Sequence, residues 1–502
     1  MTIGRRKSVL LVTVDCLRAD HAGFMGYARA TTPFLDSLAG ESFVFPAAIT
    51  GGAPTYYSFP SILASRYPLA LGRGQLGLAP EEPNLASVLK EAGYATAAFC
   101  AGNPYLSKRF GYDQGFDCFR DFLAADVGAL TNALPEPAGN GWAGALNRKL
   151  ATWTHRIGPV GTIYDEMYFQ YCQRWASSDA GSVDQQRRFP AADILVREAL
   201  SWLAGVGDVP FFLWLHFMDP HSPYYPTEKG IALMGDRPTQ PFRARYLNSY
   251  WNRSDIGAQR LGRHRDEIVQ LYDAGIRWVD EQLAVLVKGL RESKQWDECI
   301  FAFTADHGEE FLDHGGRYHP PDGLNEELIH VPLLLRVPGI IAKGLPTSPF
   351  SHLHLAPTLL DAAGVPAPAS FQGHTCWVQL LEEKEWADAA ISECVAGCTN
   401  PFRAENRLGA RVLAVREARY KLILHFNPPQ ERLYDLHADP REQSPLPAGT
   451  EKAVRRRLLE IARDHLQNSV AKPNLPAMVR TRLRELQLEW AASVPDKQLV
   501  AS

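Results

Sequence analysis

Three apolar runs in this chain each stop at residues that packing alone does not call for. Residues 8–14 run into Asp15, residues 211–217 into Asp219-Pro220-His221, and residues 299–304 into Asp306-His307-Gly308. Short continuous apolar runs bounded by turn residues read as strands buried on both faces, the pattern of a parallel sheet with helices on each side. Helical segments alternate with them: 85–92 stopped by Gly93, 192–203, 266–290, and 354–363 closed by Gly364. That alternation specifies an α/β chain with a mostly parallel central sheet flanked by helices. Open sheets of this kind collect ligands beyond the carboxyl ends of their strands. The polar residues that close the three runs are therefore the first candidates for a site.

At 502 residues, 46% of them hydrophobic and 22% charged, the chain has apolar sequence enough for one large unit and a smaller one. The large α/β unit is read as 1–390, with irregular insertions at about 124–186 and 232–262. A small C-terminal α+β subdomain is expected over 391–450, followed by a helical extension over 451–502 with amphipathic segments at 451–467 and 476–491. A net charge of -4 leaves no electrostatic footprint for nucleic acid, and Arg455-Arg456-Arg457 reads as a solvated helix face. Eight cysteines show no paired metal-knuckle spacing and are too sparse for a disulfide scaffold, which points to reduced thiols. No stretch approaches the roughly 20 apolar residues that span a bilayer, and 8–14 is too short for a signal-peptide core. The expectation is a cytoplasmic protein without a membrane span, its oligomeric state open.

Asp15 closes one strand, and Asp306 with His307 closes another. Together they offer a hard O,O,N set suited to one divalent ion: Zn²⁺, Mn²⁺, Mg²⁺ or Ca²⁺. Gly308 lets the backbone turn so that the adjacent Asp306 and His307 both face inward. The bland alternative is a solvated Asp-His turn. His221 stands in a loop braced by Pro220 and Pro223 and is a candidate acid or substrate ligand. His216, inside its run, reads as a satisfied core histidine.

These residues belong to longer stretches. Near the start lie Asp15-Cys16-Leu17-Arg18-Ala19-Asp20-His21, Gly26-Tyr27 and Thr31-Thr32-Pro33-Phe34-Leu35-Asp36. Later come Asp306-His307-Gly308, Asp313-His314-Gly315 and His330-Val331-Pro332, then Pro357-Thr358-Leu359-Leu360-Asp361. Near the end stand Leu433-Tyr434-Asp435-Leu436 and Asp439-Pro440-Arg441-Glu442. In this order, over about residues 8–445, they resemble the sulfatase family of the alkaline-phosphatase superfamily. The resemblance implies an alkaline-phosphatase-like fold, a metal-dependent hydrolase or transferase, and a small-molecule anionic ester as substrate.

The family also directs attention to Thr55. Sulfatases carry a cysteine, oxidised to formylglycine, eleven positions before an Arg-Tyr-Pro; here Arg66-Tyr67-Pro68 puts that position at Thr55, and Phe59 replaces the signature arginine. No formylglycine is expected. Threonine there is similar to phosphodiesterases, lipoteichoic acid synthases and phosphoethanolamine transferases of the superfamily, in which a metal-bound threonine attacks phosphorus. On that likeness Thr55 is nucleophile and metal ligand, beside Asp15, Asp306 and His307. Cys16 replaces the second carboxylate usual in metal-binding sulfatases. Asn103 falls near the family's Gly-Lys lysine and is assigned a substrate contact, and His319 falls near its later active-site lysine. His221 or His319 would protonate the leaving group. The expected reaction is cleavage or transfer at a phosphoester, above all a phosphodiester, through a covalent phospho-enzyme. The alternatives are a sulfuric ester hydrolase without formylglycine and a non-catalytic anion- or partner-binding member. Trp142, Trp153, Trp175, Tyr224, Tyr225, Tyr250 and Trp251 read either as a stacking rim or as anchors of the insertions.

Overall fold

The computed structural model describes residues 6–123, 159–176, 181–237, 239–341, 347–384, 386 and 388–468. The first apolar run is β1 (Ser8–Val14), buried throughout. It shares a seven-stranded sheet with β2 (Phe43–Val44), β3 (Ala95–Cys100), β4 (Cys118–Arg120), β5 (Phe211–Phe217), β6 (Cys299–Ala305) and β7 (Leu333–Arg336), in the order β2-β7-β6-β1-β5-β3-β4. β1 lies parallel between β5 and β6, with Val14 level with Phe217 and Ala305. β3 and β4 continue the parallel run, while β7 pairs antiparallel with β6 and β2. Because β1, β5 and β6 end at one level, the residues that follow them emerge side by side.

Helices cover both faces, as the continuous apolar runs require. They include α1 (Thr55–Ala64), α2 (Ala192–Val206), α3 (Arg265–Glu292) and α4 (Leu355–Ala362). α3 buries Ile268, Leu271, Tyr272, Ile276, Val279, Leu283, Leu286 and Leu290, a three-to-four spacing that keeps one stripe on the core. The mostly parallel sheet flanked by helices is the architecture the alternation specifies. A C-terminal antiparallel meander follows: β8 (Ala390–Val395), β9 (Arg411–Arg416), β10 (Tyr420–Phe426) and β11 (Pro429–Asp435). Leu458 and Ala462 of α5 (Lys452–Asn468) pack on Ile391, Leu413 and Val415 of that meander.

The stretch 232–262 is not irregular. It contains the helices Pro241–Trp251 and Ala258–Leu261, and its start is the end of Glu228–Leu233. Ala244, Leu247, Tyr250 and Trp251 form a buried stripe, but the Arg and Asn residues interspersed with them mask its period in the sequence. Tyr224, Tyr250 and Trp251 are buried, so they anchor this segment and offer no open face for stacking. Tyr225 is half-buried against the same core. Trp142 and Trp153, most of 124–186, the side chain of Trp175, and the segment 476–491 lie outside the described residues. Among the described residues no helix is long and apolar enough to cross a membrane.

Candidate active site

Four strand ends and one helix N-terminus converge on a single point. Asp15 leaves β1 with its backbone N–H donated to the Phe217 carbonyl at 2.9 Å, which keeps β1 and β5 in step to the last residue. Cys16 then takes a left-handed backbone conformation (φ 61°), unusual for a residue with a side chain, and turns the chain sharply out of the sheet. At the end of β6, Gly308 passes so close to the Glu327 carbonyl that an added Cβ would lie 1.9 Å from its oxygen. Glycine is required there by space. Thr55 is the first residue of α1, a helix whose ten residues are all buried. Its hydroxyl, 3.4 Å from Asp15 Oδ2 and 3.3 Å from His307 Nε2, joins the helix N-terminus to the strand ends.

Asp15, Asp306 and His307 are completely buried. One donor atom from each lies within 4.8 Å of the others. His307 Nδ1 donates to the Gly308 carbonyl at 2.8 Å, leaving Nε2 as a lone pair 3.7 Å from Asp15 Oδ1 and 3.5 Å from Asp306 Oδ2. Fixing one ring nitrogen through a carbonyl is how proteins orient a metal-binding imidazole. Asp306 Oδ1 accepts from the Cys16 and His307 amides at 3.3 and 2.9 Å, whereas Asp306 Oδ2 is buried without a hydrogen-bond partner. A buried carboxylate oxygen that faces a second carboxylate and an imidazole nitrogen is a donor that a cation would satisfy. The donor set therefore fits a divalent ion held by Asp15, Asp306, His307 and the Thr55 hydroxyl.

The electrostatics agree with that fit. Burial and the neighbouring Asp15 push the Asp306 pKa well above the carboxylate range. Burial also pushes Asp15 up, but His221, His216 and His307 outweigh it and hold that carboxyl well below its ordinary value. His307 is lowered to about 3 by burial and by His319, so its lone pair stays available. Two carboxylates this close cannot both ionise without a compensating charge.

The imidazoles His221 and His319 stand next to this centre, their rings 5.2 Å apart and that of His319 4.8 Å from His307. Their pKa values shift in opposite directions. Burial lowers the pKa of His221, and its Nδ1 faces the Ser222 carbonyl. For His319 burial acts in the same direction but loses to the carboxylate of Glu309, whose Oε1 is 3.2 Å from Nδ1, and the pKa is raised. Asn103, just past β3, donates from Nδ2 to Asp15 Oδ2 at 2.7 Å and accepts the Tyr105 amide at 3.0 Å.

All seven residues singled out from the sequence (Asp15, Thr55, Asn103, His221, Asp306, His307, His319) meet here. Asp219, which also follows an apolar strand, does not: it pairs with Arg187 at 2.7 Å. Three further residues reach the cluster without having been assigned to it. Glu309 is fully buried and props His319; its position two residues after His307 was its only signal. His216 is the core histidine expected, its Nδ1 3.0 Å from the Thr13 hydroxyl, yet its Nε2 lies 3.4 Å from Asp15 Oδ2 with no well-formed bond. The register that sets His216 beside Thr13 brings it there. The Cys16 sulfur sits between Asp15 Oδ1 (3.0 Å) and His319 Nδ1 (3.4 Å), in contact with the cluster even though it is not a carboxylate.

A buried carboxylate–imidazole centre at the carboxyl edge of such a sheet, facing a hydroxyl at a helix N-terminus, marks the chain as a hydrolase of the alkaline-phosphatase superfamily. A family model described as Sulfatase matches residues 7–365, and one described as N-sulphoglucosamine sulphohydrolase, C-terminal, matches 321–465. The chain belongs to the sulfatase family. It is 26% identical over 518 residues to the multifunctional alkaline phosphatase superfamily protein PehA of Trinickia caryophylli, covering 93% of this chain and 95% of that one. It is 26% identical over 417 residues to the choline-sulfatase of Rhizobium meliloti, covering 76% and 70%. The phosphonate monoester hydrolase of Agrobacterium radiobacter shares the fold, with a TM-score of 0.61, 22% identity and coverage of 92% and 95%.

Proposed function

We propose that this sulfatase-family hydrolase is a metal-dependent enzyme that cleaves phosphorus esters, phosphodiesters above all, with unmodified Thr55 as its nucleophile. The observation that carries the reading is the Thr55 hydroxyl, buried within 3.4 Å of both Asp15 and His307 at the N-terminus of α1. A divalent ion held by Asp15, Asp306, His307 and Thr55 would supply the positive charge that lowers the threonine pKa and offsets charge on the ester. The α1 N-terminus favours the same anion. His221, kept neutral by burial and with Nδ1 turned to a carbonyl, presents Nε2 as acceptor for the threonine proton. The Thr55 oxygen displaces the leaving oxygen at phosphorus, one P–O bond forming as the other breaks. His319, its pKa raised by Glu309 against burial, donates the proton that the leaving oxygen takes up. Water, giving a proton to His319, then attacks phosphorus, and His221 returns its proton to the Thr55 oxygen as the P–O(Thr) bond breaks. Asn103 is the amide donor beside Asp15.

A second reading, a sulfuric ester hydrolase with the same threonine, is favoured by the family itself and by the choline-sulfatase relative. PehA, a multifunctional member of the superfamily by its name, and the phosphonate monoester hydrolase favour phosphorus. Hydrolysis of matched aryl sulfate, phosphate monoester and phosphodiester by the metal-reconstituted protein, beside Thr55→Ala, divides them. A phosphodiester preference lost in the variant is the expected result. A sulfate preference would replace the first reading with the second, and activity surviving in Thr55→Ala would sink both.

A further inference from the structure

Away from the catalytic cleft, three separate stretches of chain bring a second set of ligand-bearing side chains together. His354 immediately precedes α4; His374 and Cys376 lie in the loop beyond it; Asp388 stands just before β8. A ring nitrogen of His354, a ring nitrogen of His374 and the Cys376 sulfur lie within 4.8 Å of one another. Asp388 Oδ2 is 3.3 Å from His374 Nε2 and 3.9 Å from His354 Nε2. The two imidazole rings are 4.2 Å apart.

The chemistry of the four is complementary. His354 Nδ1 is 3.2 Å from both the carbonyl oxygen and the amide nitrogen of His374, and its largely buried Nε2 is directed at Asp388 beyond hydrogen-bond reach. The loop is already pinned: Cys376 N donates to the Thr358 hydroxyl at 3.0 Å and Thr375 Oγ1 to Asp361 at 2.8 Å. Cys376 is buried while His374 and Asp388 are half exposed, which gives an ion a way in.

A contrast sharpens the point. Glu310, His314 and Glu327 also cluster, but their atoms are already engaged. Glu310 accepts from the His314 and Gly316 amides, and His314 bonds Glu327 through Nδ1 and the Glu442 carbonyl through Nε2. In the first cluster the short side-chain approach is between His374 and Asp388, two of the candidate ligands themselves, and His354 Nδ1 meets only the His374 backbone.

We propose that His354, His374, Cys376 and Asp388 form a structural zinc site. Ion–ligand lengths near 2.0–2.3 Å give a tetrahedron with edges of about 3.3–3.8 Å; the Asp388–His374 distance of 3.3 Å falls in that range and the Asp388–His354 distance of 3.9 Å lies just above it. Thiolate with imidazole selects Zn²⁺ over Mg²⁺ or Ca²⁺, and four protein ligands leave no open position for catalysis. On binding, the Zn–S bond replaces the Cys376 S–H bond and the proton goes to solvent. The ion clamps the loop and the segment entering β8 onto the start of α4.

The test uses the full-length protein, stripped of metal and reloaded with Co²⁺ or Zn²⁺ alone. A thiolate-to-cobalt charge-transfer band is expected in the native protein and in Asp306→Asn, and is lost in Cys376→Ser and in His374→Ala. The same two variants bind one Zn²⁺ fewer per chain than native protein, and the several-degree rise in melting temperature on adding Zn²⁺ disappears with it. His374→Ala, altered at a half-exposed residue, keeps the native ester-hydrolysis rate. A band absent from native protein, retained in Cys376→Ser or abolished by Asp306→Asn would overturn the site; the last two would move the thiolate to Cys16. Because Asp306→Asn disables the catalytic centre alone, failure of the catalytic reading and failure of this one give different results.

Discussion

Glu309 turns the His319 pKa shift upward, and its removal separates proton supply from nucleophilic attack. Its carboxylate holds the His319 pKa above the ordinary value despite burial. If the protonated form is the acid, activity is full below that pKa and falls as pH rises through it. Glu309→Gln keeps the shape of the side chain and removes the charge, so the alkaline limb of the kcat profile should move to lower pH. Oriented partners of this kind are worth roughly 10- to 100-fold in activity, and kcat should drop on that scale with KM little changed. An unmoved alkaline limb would free His319 from the acid role. Thr55 is tested more directly: Thr55→Ser should keep a covalent route, while Thr55→Ala should lose on the order of 10⁴-fold in kcat/KM. Asp15, Asp306 and His307 are legible in the sequence because a charged residue at the end of an apolar strand has few reasons to be there. Glu309, His216 and Cys16 are not: whether Glu309 and Cys16 face the centre depends on backbone turns next to the ligands, and His216 reaches it only through the strand register.

At the scale of elements, the end of β6 is a junction with no spare volume. Gly308 abuts the Glu327 carbonyl, and Gly308→Ala forces one backbone away from the other. Overpacking of this kind costs about 1–3 kcal/mol, read in urea unfolding, and displaces His307 with it. Divalent-ion affinity at the catalytic centre should therefore fall in parallel; loss of stability with unchanged affinity would show that the glycine serves the fold alone. The apolar strands β1, β5 and β6 and the long α3 were readable from period and length. The helices within 228–261 were not, since their buried stripe of Ala244, Leu247, Tyr250 and Trp251 acquires its meaning only from the core it covers.

Over the whole molecule, the C-terminal meander is tied to the catalytic unit by a buried charge cluster. Lys421 of β10, fully buried, reaches Glu326 at 3.1 Å and Glu442 at 2.9 Å, and Arg416 adds a contact to Glu326 at 3.4 Å. Burial would raise the pKa of Glu326, but Lys421 and Arg416 bring it down to about 2 from an ordinary 4.5. A depressed carboxylate pKa stabilises the fold above the unfolded value and loses that contribution as pH falls through the folded one. The Glu326 contribution is thus present above pH 4.5 and lost towards pH 2. Lys421→Met leaves buried Glu442 without its cation and Glu326 with Arg416 alone, and should destabilise the protein by about 3–5 kcal/mol in urea unfolding. Stability within error of native would mean that the cluster is neutralised by proton uptake instead. The order of strands and helices, the metal-type residues at the strand ends and the threonine in place of cysteine are local properties of the chain, and the sequence alone determined them. Which side chains share the site was decided by tertiary structure: Glu309 beneath His319, His216 behind Asp15, Lys421 between two acids, and His354 near Cys376. Each of those pairings depends on the register and approach of segments distant in sequence, and pairing across that distance is set by packing, which no local pattern encodes.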